Sequence, residues 1–223
     1  MYWNTKMEKE IEIKVKIENV NEVISWLSNN AIFDRDVFQE DILYDYTPRS
    51  FIIDQKNLKA DEFLRIRRTI QEDILTHKII RRDSNGNFLY CDEEETVISP
   101  DNYEKIYNIL SPFGMSDLSK KDCTNGMTLG TIMKKNNFKE LIRILKNRKE
   151  YRFRGFNIAV DNVFNLGSFI EIESLKTTSD EKMIKLIKDK EMKLLKDIRI
   201  SANNIIKKGY LDLIMERKKG RTI

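Results

Sequence analysis

The chain has 223 residues, and its 40 Lys+Arg against 36 Asp+Glu leave a formal net charge of only +4, although 34% of the residues are charged. This length fits one domain that buries a full core, and a hydrophobic fraction of 40% is too high for a disordered chain. The near balance of charge argues against a simple basic surface for nucleic acid, and no apolar run approaches the ~20 residues that a membrane helix needs.

The cysteine and histidine content narrows the class of protein and the kind of metal site further. Cys91 and Cys123 stand apart, without the spacing of a metal site or a disulfide framework, so we expect two reduced thiols and a cytoplasmic protein. The charged segment that follows Met1–Asn4 predicts no signal peptide. Because His77 is the single histidine, a divalent cation would need oxygen ligands, which favours Mg²⁺ or Mn²⁺ over Zn²⁺.

Period-two alternation predicts most of the elements in the first half of the chain. Charged and apolar residues alternate over 10–17, as in a strand with one polar face, and Asn19 or Asn21 can cap a helix that ends near residue 30. Asn85-Gly86 predicts a hairpin turn. Further strands are predicted near 38–45, 63–70, 74–82, 88–98, 142–154, 156–163 and 168–174.

Helical periodicity separates and follows these strands. It predicts helices over 101–110 and near 129–137, from residue 179 onward, and near 201–217, followed by a frayed basic tail. Gly, Ser, Asp, Asn and Thr collect in 112–128, which we interpret as a loop insertion. The pattern therefore predicts an α+β fold, mainly antiparallel β with outer helices, in a single domain over residues 1–223.

Charged residues occupy alternate positions on four of the predicted strands. An ordinary sheet with one solvated face explains any one strand, but here acid pairs lie on the first and last strands and basic pairs lie between them. On a curved sheet these faces would converge on a concave surface or tunnel, where the cations suit phosphate and the carboxylates suit Mg²⁺ or Mn²⁺. A solvated ladder of salt bridges is the structural alternative. The alternating sets are Glu10, Glu12 and Lys14; Arg65 and Arg67; Lys146, Arg148, Glu150, Arg152 and Arg154; and Glu171 and Glu173.

Seven motifs keep their order between residues 8 and 214. They are Glu10-x-Glu12-x-Lys14, Phe63-Leu64-Arg65-Ile66-Arg67, Thr76-His77-Lys78, Glu93-Glu94-Glu95-Thr96, Leu145-Lys146-Asn147-Arg148, the run from Ala159 to Glu173, and Gly209-Tyr210-Leu211-Asp212-Leu213. This ordered set resembles the CYTH superfamily, the triphosphate tunnel metalloenzymes. The resemblance implies an eight-stranded antiparallel β tunnel, a closed barrel with a charged interior, flanked by helices.

The resemblance also implies roles for individual residues. The implied metal ligands for Mg or Mn are Glu10, Glu12, Asp161, Glu171 and Glu173. The implied triphosphate-binding residues are Lys14, Arg65, Arg67, Lys78, Lys146 and Arg148, and the implied catalytic set is Glu10, Glu12, Lys14 and Lys78. Glu93 and Glu95 are less secure members of the lining, and Arg152 and Arg154 either extend it or lie at its mouth.

Some features depart from the family pattern or have two interpretations. The 112–128 insertion could serve as a lid, as a partner surface or in neither way, and Asn162 stands where an acidic residue often follows the aspartate. His77 should point opposite Lys78, which favours a packing or surface role. Tyr44, Tyr46 and Phe51 could stack on a nucleobase, although strand aromatics usually belong to the core.

Two reactions suit such a site. Three features together look most like the class IV adenylyl cyclase branch, which implies conversion of ATP to cyclic AMP and pyrophosphate: the Gln39-x-Asp41 segment with Tyr44, the run from Asp161 to Glu173, and the Tyr210 helix. The alternative is a triphosphatase that hydrolyses inorganic, nucleoside or thiamine triphosphate, and a remoter one is a non-catalytic binder of polyphosphate or RNA 5′ ends. We expect a triphosphate partner, no membrane, no sequence-specific nucleic acid and a possible homodimer.

Overall fold

A computed structural model of the chain describes residues 8–54, 59–82, 88–174, 178 and 180–218. The predicted turn at Asn85-Gly86 and the predicted tail beyond residue 218 lie outside the described residues. No helix among the described residues is both long enough and apolar enough to cross a membrane.

Antiparallel strands make up most of the described structure. They are β1 (Glu8–Glu10), β2 (Glu12–Ile17), β3 (Ile32–Tyr46), β4 (Ile52–Asp54), β5 (Lys59–Ala60), β6 (Glu62–Arg68), β7 (Asp73–Arg82), β8 (Phe88–Val97), β9 (Phe138–Phe153), β10 (Phe156–Val163), β11 (Gly167–Ser174) and β12 (Ile205–Ile206). Ten of the described strands form one sheet in the order β1-β8-β7-β6-β3-β9-β10-β11-β2-β12, and β4 pairs with β5. The prediction of an α+β fold with a large antiparallel sheet is confirmed.

The predicted closed barrel of eight strands is not confirmed, because the described sheet has ten strands in an open order that ends at β1 and β12. Two local features account for the extra strands. The predicted strand over 10–17 is interrupted at the fully buried Ile11, so that β1 pairs with β8 while β2 pairs with β11 and β12. Ile205 and Ile206, predicted to be helical, pair instead with Val15 and Lys14.

Five α-helices lie among the described residues. They are α1 (Val20–Asn30), α2 (Tyr103–Leu110), α3 (Gly126–Lys135), α4 (Glu181–Asp197) and α5 (Tyr210–Lys218). The last helix begins at Tyr210 rather than near residue 201. The reason is that β-branched Ile205 and Ile206 suit a pleated strand and extend the edge of β2.

The 112–128 segment is more ordered than a simple loop. It contains a 3₁₀ turn at Lys120–Cys123 and the start of α3. Phe113, Met115 and Leu118 are each at most 6% exposed and belong to a hydrophobic core cluster. The segment therefore packs as part of the core, and its small and polar residues supply the turns between these anchors.

The described chain divides into two compact units. The first unit comprises Gln39–Ile80 and Asp92–Ile144, and the second comprises Glu8–Phe38, Arg81–Cys91 and the residues from Leu145 onward. The core of the first unit is built by β3, β6 and helices α2 and α3, with Tyr44 and Leu64 among its fully buried members. The core of the second unit packs α1 and α4 against apolar residues such as Val15 and Ile170.

Candidate functional site

Four neighbouring strands of the second unit, β9, β10, β11 and β2, bring charged side chains to one face. Directly paired residues share a face of an antiparallel sheet, and the opposite face carries the fully buried Val15 and Ile170. The predicted alternation is therefore confirmed on these strands. The register sets Arg148 opposite Asp161, Lys14 opposite Glu171, and Glu12 opposite Glu173.

Asp161 is the centre of the polar network on this face. It is 0% exposed, and its carboxylate accepts hydrogen bonds from Arg148 Nε at 2.7 Å and from Arg148 Nη2 at 2.6 Å. Lys146 Nζ lies 3.2 Å from the same carboxylate. Burial alone would raise the pKa of Asp161, but the charges of Arg148 and Lys146 lower it, so the side chain is an anion.

Glu171 extends this network to the first motif of the sequence. Its carboxylate pairs with Lys14 Nζ at 3.0 Å and accepts a hydrogen bond from Arg148. Burial opposes ionisation of Glu171, yet Lys14 and Arg148 hold its pKa well below the usual range. Burial alone would lower the pKa of Arg148, but Asp161 and Glu171 raise it well above normal. Three predicted phosphate-binding cations thus belong to one hydrogen-bonded network.

Tyr210, the first residue of α5, inserts into the same network. Its hydroxyl donates to Asp161 at 2.8 Å, and the ammonium groups of Lys14 and Lys146 lie 4.2 and 5.3 Å from the centre of its ring. Burial raises its pKa well above 10, and the nearby Glu171 and Asp161 add to this effect. The sequence had flagged Tyr210 only within a motif, because a tyrosine on an apolar helix is typical of a core residue.

Glu12 and Glu173 form an acidic pair on the same face. They lie directly opposite each other on β2 and β11, and like charges in that relation repel unless a cation lies between them. Glu10 ends β1, beyond the interruption at Ile11. The helix α4 adds Glu191, which the sequence analysis did not single out and which is 0% exposed. Burial raises the pKa of Glu191 to about 9, with Glu12 and Glu173 adding to the shift.

The first unit holds a separate cluster of the predicted cations. Arg65 Nη2 lies 3.3 Å from Glu93 and donates to Thr76 Oγ1 at 3.0 Å, and Lys78 Nζ lies 3.2 Å from the other oxygen of Glu93. Arg67 donates to both oxygens of Asp41, at 2.7 and 3.0 Å. The cations on β6 and β7 thus meet carboxylates on β8 and β3.

The acidic members of this cluster include Glu93 and Glu95, the less secure members of the predicted charged lining. Glu93 pairs with Arg65 and Lys78, and the pKa of Glu95 is raised by burial and by Glu93. Asp41 is 3% exposed, and the sequence analysis treated it only as part of a family-like segment. The sequence feature that could have identified Asp41 is the alternation of Gln39 and Asp41 with the core residues Ile42 and Tyr44 along one strand.

Several other candidates lie away from these clusters or have packing roles. Arg152 pairs with Asp34 at 3.4 Å, with both side chains about half exposed. Arg154, in a turn with φ of +48°, stacks on Phe153. His77 bonds Glu62 at 2.9 Å and meets the edge of the Phe113 ring, which confirms the packing interpretation. The core of the first unit includes Tyr44 and Phe51, and the partly buried Tyr46 packs against it.

The acidic pair is the part of this arrangement that fits a divalent cation. Among the described residues, no three His, Cys, Asp or Glu side chains converge closely enough to hold a metal ion. Mg²⁺, however, is typically held by one or two carboxylates together with substrate phosphates. The opposed carboxylates of Glu12 and Glu173 meet that requirement, because a cation between them would relieve their repulsion.

Comparisons with known proteins agree with this geometry. A sequence model of the CYTH domain matches residues 8–210. The chain is 31% identical over 205 residues to "Putative adenylate cyclase MJ0240" of Methanocaldococcus jannaschii, with 92% of this chain and 97% of that protein covered. It is similar to the solved structure of PH1819 from Pyrococcus horikoshii, with 27% identity, a TM-score of 0.68, and coverage of 93% of this chain and 99% of that one.

A third comparison concerns the fold alone. The structure of "Putative adenylyl cyclase HpAC1" from Hippeastrum, for which a dominant triphosphatase activity is stated, has a TM-score of 0.55 at 19% identity and covers 97% of this chain and 98% of that one. The family match spans most of the chain, and the archaeal relative exceeds 30% identity over nearly its whole length. The chain therefore belongs to the CYTH family, whose members are enzymes.

Proposed function

We propose that this protein is a divalent-metal-dependent enzyme that binds and converts a triphosphate. The observation that carries the proposal is the network on the second unit, where carboxylates fix Lys14, Lys146 and Arg148 beside the opposed acids Glu12 and Glu173. Arginine offers bidentate hydrogen bonds to phosphate oxygens, and lysine offers a point charge. Such a set suits an anion that arrives together with a metal ion.

Each part of the network has a distinct task in this proposal. Lys14, Lys146 and Arg148 bind phosphate oxygens, and their carboxylate partners keep the cations oriented before the substrate arrives. Glu12 and Glu173 would hold the Mg²⁺ or Mn²⁺ together with the substrate phosphates. When bound, the cation supplies charge neutralisation and orientation at the phosphates. In the first unit, Arg65, Arg67 and Lys78 form a separate set of candidate phosphate-binding cations, and Glu93 and Glu95 are the less secure acidic members of that set.

The first candidate reaction is conversion of ATP to cyclic AMP and pyrophosphate. Its support is the name of the archaeal relative, which is similar over nearly its whole length. The second candidate is hydrolysis of a triphosphate. It is favoured by the burial of Tyr44, Tyr46 and Phe51 in or against the core of the first unit, since these were the aromatic side chains considered for stacking on a base.

A product assay tests both candidates. The purified chain is incubated with ATP, thiamine triphosphate or tripolyphosphate and either Mg²⁺ or Mn²⁺, and the products are separated. Cyclic AMP with pyrophosphate identifies a cyclase, and orthophosphate identifies a triphosphatase. Glu12→Gln should abolish turnover with folding retained, whereas Glu18→Gln, at an exposed position just after β2, should keep wild-type turnover.

Two outcomes contradict the proposal. Absence of any product from all three substrates with either metal would exclude the enzymatic function. Turnover that persists in excess chelator, or that Glu12→Gln leaves unchanged, would exclude the assigned metal dependence. Tight binding of tripolyphosphate without turnover would instead support the non-catalytic binder, although acid pairs beside the cations weaken the affinity of a pure anion binder.

A further inference from the structure

The carboxylate of Asp161 is fully engaged at one oxygen and surrounded by cationic donors, an environment that disfavours a metal ion. Its Oδ2 already accepts from three donors, Arg148 Nη2 at 2.6 Å, Tyr210 Oη at 2.8 Å and Lys146 Nζ at 3.2 Å, which is more than the two lone pairs of that oxygen. Its Oδ1 accepts from Arg148 Nε at 2.7 Å. A metal ion at Oδ2 could bind only by displacing one of these donors, and the side chain of Asp161 is 0% exposed. Three of the four donor atoms belong to the positively charged side chains of Arg148 and Lys146, which would repel the cation.

The burial of Asp161 also disfavours metal binding at this residue. Asp161 is 0% exposed, and the side chains of Lys146 and Arg148 are 2% and 12% exposed. The carboxylate thus lies behind the two cations that contact it. Removing its charge would leave both cations without their main buried counter-ion, whereas Glu12 and Glu173 contribute no such contacts to Arg148.

Tyr210, on helix α5, also helps to hold the cations of the network in place. Because burial keeps its phenol neutral, the hydroxyl acts as a hydrogen-bond donor to Asp161. Its ring lies beneath the ammonium groups of Lys14 and Lys146, an arrangement that a cation–π interaction stabilises. The Phe169 ring packs against the tyrosine ring in a T-shaped arrangement, with the two ring centres 5.2 Å apart, and this contact restricts the orientation of the tyrosine.

We propose that Asp161 is a positioning residue rather than a metal ligand, and that Asp161 and Tyr210 together hold Lys146 and Arg148 in the orientation that binds triphosphate. This inference rests on the proposed function, but it assigns Asp161 a different role from the one that the family resemblance implies. Cations that are already oriented bind an anion without the cost of ordering them. Loss of either support should therefore weaken triphosphate binding even when no metal is present.

Without metal, the positioning role and the metal-ligand role predict opposite changes in tripolyphosphate affinity when Asp161 loses its charge. If Asp161 served only to bind metal, removing its charge in excess chelator would leave tripolyphosphate affinity unchanged or increase it, because one repulsive carboxylate would be gone. If Asp161 positions the cations, the same change must weaken binding. Glu12→Gln is the matched control for a metal ligand, and Tyr103→Phe, which removes a hydroxyl bonded to a backbone carbonyl in the first unit, is the control for loss of a tyrosine hydroxyl.

The experiment measures tripolyphosphate binding by calorimetry in EDTA at low ionic strength. We expect Tyr210→Phe to weaken affinity about tenfold, as loss of a hydrogen bond to a charged group does, and Asp161→Asn to weaken it at least as much. Glu12→Gln should bind as well as wild type or better, and Tyr103→Phe should equal wild type. If Asp161→Asn fails to fold, Tyr210→Phe still decides the question, since it keeps the aromatic ring.

The outcomes separate this inference from the proposed function. If wild type turns over a triphosphate but Asp161→Asn and Tyr210→Phe bind tripolyphosphate as tightly as wild type in EDTA, the inference is overturned and the function stands. The same holds if active wild type binds no tripolyphosphate without metal. A chain that turns over no triphosphate with metal overturns the proposed function, and with it the substrate on which the inference depends.

Discussion

Glu191 makes the stability of the fold depend on pH in a predictable direction. Its carboxyl group is 0% exposed on α4, and neither oxygen accepts a hydrogen bond from the part of the chain that the structure describes. Burial raises its pKa from 4.5 to about 9, against the opposing charge of Lys188, and the charges of Glu12 and Glu173 add to the rise. The folded state therefore retains a proton at neutral pH that the unfolded state has released.

The sign and size of the effect follow from this difference. Stability is unaffected below the unfolded pKa of 4.5 and falls as the pH rises toward the folded pKa of about 9, because the unfolded chain alone ionises in that window. Each unit of pKa difference corresponds to about 1.4 kcal/mol. The free energy of unfolding should therefore fall by roughly 4 kcal/mol between pH 5 and pH 8 on account of Glu191 alone.

Glu191→Gln isolates this contribution, because the amide has nearly the same shape and does not ionise. The variant should match wild type near pH 5 and exceed it by several kcal/mol at pH 8. Urea unfolding followed by circular dichroism, with EDTA in every buffer, measures the difference. Asp189→Asn, at an exposed position of the same helix, removes one charge without burial and should give a difference that does not change with pH.

The reasoning would be refuted by a Glu191→Gln difference that is constant between pH 5 and pH 8. A constant difference would mean that the carboxyl group is ionised in the folded state, with a counter-ion that compensates its burial. A constant difference for Asp189→Asn is required before the Glu191 result is interpreted, since a pH trend there would show a general effect of net charge.

Two further predictions concern packing and capping in the first unit. A Cβ at Gly130 would lie 2.5 Å from the hydroxyl oxygen of Tyr44, so Gly130→Ala should lower the free energy of unfolding by about 1–3 kcal/mol despite the better helix propensity of alanine. Adding Tyr44→Phe to the same chain should restore most of this loss. A loss that persists in the double variant would locate the strain elsewhere. The Asp73 carboxylate accepts a hydrogen bond from the Gly126 N–H at 2.6 Å at the start of α3. Asp73→Ala should therefore lower the free energy of unfolding by about 1–2 kcal/mol, whereas Asp117→Ala, on the exposed part of the insertion, should change it little. Equal losses of the two variants in urea unfolding would contradict a capping role.

What the sequence could predict about the site was the face on which each charge lies. Alternation along a strand is a local property, so Glu12 and Lys14 on β2, or Glu171 and Glu173 on β11, could be assigned to one side before the fold was known. The register between strands is not local. No local pattern indicates that Arg148 lies opposite Asp161 and binds it with two hydrogen bonds.

Contacts between distant segments also explain the wrong boundaries and the missed residues. Ile205 and Ile206 follow a helical pattern but pair with β2, nearly 200 residues earlier in the chain. Tyr210 has the character of a core residue on a short helix, and only the fold brings its hydroxyl to Asp161, 49 residues away. Glu191 was hidden among the many charged residues of α4, and its burial depends on the sheet against which that helix packs.

The charge count of the network on the second unit gives a physical reason for metal dependence. Lys14, Lys146 and Arg148 contribute three positive charges, and Asp161 and Glu171 contribute two negative ones, so the network alone carries an excess of one positive charge. The adjacent Glu12 and Glu173 reverse that excess when no metal is bound. A triphosphate carries several negative charges, so oriented cations alone give weak attraction, whereas a divalent ion between the acids would change the sign of the site. The opposed acids Glu12 and Glu173 thus lower the affinity for the anion when no metal is bound, and the same arrangement makes strong binding conditional on the metal.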